Sequence, residues 1–149
     1  MRVCLALVLF ALPAALAEAP AGKKESAKEA LRRLQGAWVP LKAELGGAPF
    51  PAKALEGLRL VIKGNTYRVR AGKETDEGVL ELMPEKTPPA MDVKGTEGPN
   101  KGKSFPAIYE VKGDTLRVCY DLEGKERPRE FKTAKGKKHF LVTYERHKP

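Results

Sequence analysis

Two cysteines, two histidines, two serines and a single tryptophan are all that this 149-residue chain offers of the residue types from which nucleophilic and metal sites are commonly built. Each scarcity excludes something. Cys119, His139 and His147 show no short ligand spacing, so no metal site is read. Of the serines, Ser26 fits a helix cap, and neither it nor Ser104 sits in a Gly-x-Ser-x-Gly elbow. A Cys119–His139 thiolate pair would need contact between residues that the sequence shows only as separated. Gly102-Lys103-Ser104 has the look of a phosphate loop, but Gly98 and Gly102 enclose three residues where the pattern needs four, and no helix follows. The 19 acidic residues are scattered without a pairing signal. No catalytic or metal-binding residue and no cofactor is therefore assigned, and the chain does not read as an enzyme. Strand–helix–strand units are also missing, which excludes a parallel nucleotide-binding sheet.

Long hydrophobic runs are absent beyond the first 17 residues. That first stretch, 1–17, has Arg2 at its start, an apolar run from Val3 to Leu12, Pro13, and Ala15-Leu16-Ala17 as a small-x-small cleavage site. It reads as a secretory signal peptide, too short to remain as a membrane anchor. Cys4 lies upstream of the cut, so it is no lipid-acceptor cysteine. Removal of the leader leaves Cys119 without a disulfide partner. It also leaves 27 basic against 19 acidic residues, a net charge of +8. The expectation is a secreted or periplasmic protein that does not span the membrane. Residues 18–25 read as a flexible leader, and 26–149 as one domain.

What is present is period-two alternation. A capping box at Ser26 and Glu29 starts a short amphipathic helix carrying Ala30, Leu31 and Leu34, ended by Gly36. Beyond it, apolar residues alternate in Val39–Leu45, Leu58–Ile62, Tyr67–Val69, Leu80–Leu82, Met91–Val93, Phe105–Val111, Leu116–Tyr120 and Phe140–Tyr144. Gly64-Asn65 and Lys112-Gly113-Asp114 are short enough to force antiparallel hairpins. The expected fold class is all-β, eight or nine antiparallel strands in up-and-down order behind a short N-terminal helix, and they must close into a barrel or pack as a sandwich to hide their one apolar face.

The opening Leu34-Gln35-Gly36-Ala37-Trp38, the stretch Thr96-Glu97-Gly98-Pro99-Asn100-Lys101-Gly102-Lys103, Ile108-Tyr109-Glu110, Gly113-Asp114-Thr115-Leu116, Cys119 and Gly124-Lys125-Glu126-Arg127-Pro128 follow one another in an order that resembles a family of uncharacterised exported lipocalin-like domains common in planctomycete bacteria. The resemblance covers about Leu34 to Arg146 and implies the barrel: a lipocalin-like antiparallel up-and-down barrel of about eight strands, with no established activity. It further implies that Trp38, in Gly36-x-Trp38, packs at the closed end of the barrel beneath Arg146. The apolar set Val39-Leu41-Ala43-Leu45 has the opposite parity to Trp38, and a bulge near Pro40 would reconcile the two.

Two surfaces are candidates for binding. Tyr67, Tyr109, Tyr120 and Tyr144 recur on the apolar sides of four strands, where they either fill the barrel or line a site for a small apolar or amphipathic ligand. Lys132, Lys135, Lys137 and Lys138 crowd what reads as one hairpin, with Arg68 and Arg70 sharing a strand face elsewhere. Such a patch suits an anionic envelope component or an acidic partner protein as well as it suits solubility. Aromatic residues are not interleaved with these bases, which argues against nucleic acid. The leading expectation is an exported binding module with its ligand inside the barrel. The alternative is an interaction protein with a filled barrel and a basic binding surface.

Overall fold

The computed structural model describes residues 24–149. The expected signal peptide and most of the leader lie outside the described residues. Helix α1 (Ala27–Leu34) begins with the reciprocal bonds its sequence encodes. Glu29 N–H donates to Ser26 Oγ at 3.2 Å, and Ser26 N–H donates to the Glu29 carboxylate at 3.1 Å. It buries Ala30 and Leu34. The chain then leaves the helix through Gly36, whose φ of +114° few other residues would adopt.

Every strand that follows pairs antiparallel: β1 (Gly36–Leu45), a two-residue stub β2 (Ala48–Pro49), β3 (Arg59–Lys63), β4 (Thr66–Ala71), β5 (Glu74–Met83), β6 (Ala90–Glu97), β7 (Ser104–Lys112), β8 (Thr115–Asp121) and β9 (His139–Arg146). Because β1 bonds to both β3 and β9, the long strands close into an eight-stranded up-and-down barrel with β2 as an appendage. Closure removes the unpaired edges that an open sheet would expose. A second helix, α2 (Ala52–Leu55), lies between β2 and β3 and buries Leu55, an element that the sequence did not announce. Four residues are too few to show a helical period.

The β1 pattern is resolved by a bulge. The register with β9 slips between Pro40 and Lys42, so that Trp38, Pro40 and Ala43 are buried while Leu41 is 55% exposed. This corrects the first half of the expected inner set: Val39 and Leu41 do not belong to it. Elsewhere the alternation places Leu60, Ile62, Leu80, Met91, Leu116 and Val118 inside, with Trp38 and Leu34 wholly buried at one end.

A smaller core lies on the outer side of the sheet. Ala90, Ile108, Cys119 and Leu141 are buried there against Met83 and Phe131. Their cover is the connection 122–138 between β8 and β9, which crosses the outer face as a strap. Arg127 fastens the strap by donating to the carbonyls of Met91 and Ala107, each at 2.9 Å, and to Asp92 at 2.7 Å. Arg117 lies over the Phe131 ring, 4.4 Å from its centroid. Asp121 starts the strap by accepting from the backbone N–H of Glu123, Lys125 and Glu126.

Candidate functional site

The barrel has a sealed end and an open one. At the sealed end the Trp38 indole N–H donates to Leu34 O at 2.9 Å, and the Arg146 guanidinium lies 4.2 Å from the ring centroid. Arg146 also donates to the carbonyls of Gln35 and Arg33, which end α1, and to Asp114 at 3.2 Å. One side chain thus covers the indole, caps a helix and ties the first strand to the last. The Gln35 amide completes the seal by exchanging hydrogen bonds with the backbone of Gly64 in the β3–β4 turn.

Above this floor is an internal cavity of about 250 Å³. Leu34, Ile62 and Leu116 form its base, Leu80, Met91 and Val118 its walls, and Leu58, Phe105, Leu122 and Phe140 its upper part. A T-shaped contact of Phe50 with Phe140 at 5.4 Å and a stacked one of Phe140 with Tyr120 at 6.4 Å make an aromatic flank beside the mouth. Leu122, at the rim, is 38% exposed, a large apolar side chain left facing solvent at the entrance. A second depression, bordered by Lys103, Ser104, Glu123 and Gly124, shares Asn100, Phe105 and Leu122 with the cavity. The doorway therefore lies between the β6–β7 loop and the start of the strap.

Of the four tyrosines singled out in the sequence, Tyr67, Tyr120 and Tyr144 line the cavity. Tyr109 does not. It is buried toward the sealed end, where its N–H donates to Pro89 O and its hydroxyl has no hydrogen-bond partner among the described residues. Burial pushes the Tyr144 hydroxyl up to about 12. Burial also raises Tyr120 well above the ordinary phenol value, with the neighbouring Tyr144 and then Tyr67 adding to the effect. Tyr67 is raised by burial and then by the neighbouring Asp76 charge. All three are neutral hydroxyls at physiological pH, able to donate and to accept.

The sequence reading missed Asp76. Strand β5 begins at Glu74, well before the apolar pair Leu80–Leu82 that marked it, and this extension carries Asp76 to the cavity wall opposite Val69. Asp76 accepts from Asn100 N–H at 3.1 Å, from the Asn100 side-chain amide at 2.9 Å and from the Tyr67 hydroxyl at 3.3 Å. Two glycines allow this arrangement. A Cβ at Gly78 would stand 2.5 Å from the Tyr67 ring, and one at Gly95 would stand 2.0 Å from Asn100 O. The only advance signal was the pair of glycines within otherwise alternating strands, which marks close backbone approach.

The lysines occupy a different place. Lys132, Lys135, Lys137 and Lys138 are exposed along the strap and not on the arms of a hairpin, which corrects the expected local structure. Lys132 approaches Glu130 at 3.9 Å, both largely exposed. Cys119 is fully buried beneath the strap, its thiol donating to Lys132 O, and burial pushes that thiol up to about 11. A thiol so placed is a packing residue and not an activated nucleophile.

Fold and site together define a lipocalin-like antiparallel barrel with one apolar internal cavity, entered between two loops and carrying a few convergent polar groups. Against known protein families, curated proteins and solved structures the chain shows no significant match. The functional reading therefore stands on the geometry.

Proposed function

We propose that this protein is an exported binding module whose barrel holds a small apolar or amphipathic molecule. The observation that carries the proposal is the cavity itself. A barrel of eight strands is narrow enough for side chains to fill, yet this one keeps about 250 Å³ open beneath an apolar rim. An engineered apolar cavity of about 150 Å³ takes up benzene, so by proportion this space suits a molecule of roughly ten heavy atoms. The leader at residues 1–17 and the resemblance to exported lipocalin-like domains support export and the barrel.

Titration calorimetry with 2-phenylethanol tests the proposal. Binding driven by area burial should change less than about twofold between low salt and 1 M salt. Val118→Trp, which fills the cavity from its wall, should abolish the heat while thermal unfolding stays cooperative. Absence of binding at millimolar ligand, together with salt-sensitive retention on anionic vesicles through Lys135, Lys137 and Lys138, would replace the cavity reading with one based on the basic surface.

A further inference from the structure

Among the described residues lining the cavity, Asp76 is the single charged side chain. A half-buried charge set in an apolar wall has lost part of its hydration, which an opposite charge would offset. None does so here. Among the described residues no lysine or arginine forms an ion pair with Asp76, although the chain forms nine ion pairs elsewhere. Lys101 and Lys103, on the same loop as Asn100, are exposed, and Lys103 borders the depression at the doorway. The three donors that reach the carboxylate are all neutral: a backbone N–H, an amide and a phenol.

These donors hold the carboxylate in a fixed orientation without neutralising it. Two of them converge on Oδ2, whereas Oδ1 receives only the Asn100 N–H. A carboxylate has about four acceptor positions, so Oδ1 retains capacity for a further donor. The position along the barrel matters as well. Asp76 lies close to the β4–β5 turn at the open end, while the space below it ends on Leu34, Ile62 and Leu116. A ligand entering past Leu122 would rest its apolar body on that floor and bring its polar end level with Asp76 and the Tyr67 hydroxyl.

We propose that the ligand is a primary amine of about ten heavy atoms, its ammonium paired with Asp76 and its apolar body in the lower cavity. This rests on the cavity reading above and adds the chemical class of the ligand. A charge-assisted hydrogen bond is about twice as strong as a neutral one, and at this half-buried position the apolar walls keep part of the screening water away. A carboxylic acid of the same shape would meet Asp76 with like charge and be rejected.

Three molecules of one shape test this on the unaltered protein: 2-phenylethylamine, 2-phenylethanol and phenylacetate, each titrated directly by calorimetry at neutral pH. The expected order is the amine at least tenfold tighter than the alcohol, with no detectable binding of phenylacetate. In Asp76→Asn the amine-to-alcohol ratio should fall to about one. Equal affinity of amine and alcohol for the unaltered protein would overturn the amine assignment while leaving the cavity reading intact. No binding of either would overturn both. Because the comparison among ligands needs no substitution, it decides the matter even if Asp76→Asn does not fold.

Discussion

At the scale of single residues, Trp38 and Arg146 carry the sealed end. Trp38 is wholly buried with its N–H satisfied, so Trp38→Ala should cost ~3–5 kcal/mol as a truncated core aromatic. Arg146→Ala removes the ring stacking and also leaves the Arg33 and Gln35 carbonyls without their donor, a loss of ~2–3 kcal/mol. Urea midpoints rank the two; a near-neutral Trp38→Ala would contradict the role given to the indole. Asp121 supplies a pH signature. Burial raises its pKa, but hydrogen bonds from the N–H groups of Glu126, Glu123 and Lys125, with a smaller effect of His139, outweigh that and hold the carboxyl below its usual range. A depressed folded-state pKa contributes stability that is whole above the unfolded value of about 4 and is lost as pH falls through the lower folded value. Asp121→Ala should therefore be destabilised at pH 7 by ~2 kcal/mol, with three amides left unpaired, and the gap to the native protein should close toward pH 2. Midpoints at the two pH values that differed by the same amount would contradict this. Trp38 and Arg146 were legible through the family resemblance, which implies an indole at the closed end beneath a late arginine. Asp76 was not, because one acid among 19 carries no mark of which face of a strand it occupies.

At the scale of elements, alternation and turn chemistry made α1 and the eight strands readable, and the capping box forms as written. The conflict of parity between Trp38 and the set Val39-Leu41 also pointed to a bulge near Pro40, and the register slip between Pro40 and Lys42 places it at Leu41. What escaped was the connection between β8 and β9. The connection 122–138 has no period at all, so the sequence could not show that it lies as a strap over a second core. That strap supports a prediction. Arg127 is its fastening to β6 and β7, and Arg127→Ala should loosen it and expose Cys119. In Cys4→Ser protein, labelling of Cys119 by a thiol reagent should be slow, and Arg127→Ala should speed it at least tenfold at unchanged secondary structure. Equal labelling rates would show that Cys119 is shielded by the sheet alone. The glycines within strands belong at this scale too: Gly78→Val would drive a side chain into Lys94 O and the Tyr67 ring, costing ~1–3 kcal/mol as overpacking.

At the scale of the whole molecule, closure and emptiness are separate properties. Closure follows from eight alternating strands whose first and last pair; alternation alone left a barrel and a sandwich open, and the family resemblance favoured the barrel. Emptiness depends on how side chains of particular size meet across the barrel, which no alternation pattern encodes. Three tyrosines line a space that they could have filled, and Tyr109 does the filling nearer the floor. The proposed function requires that a small molecule occupy that space. Methyl-resolved NMR with 2-phenylethanol tests it most directly, because it reports both binding and place. The methyl groups of Leu60, Ile62, Leu80, Leu116 and Val118, inside the barrel, should shift on titration, while those of Ile108 and Leu141, in the outer core beneath the strap, should stay unchanged. Shifts confined to the outer core, or none at saturating ligand, would contradict the claim.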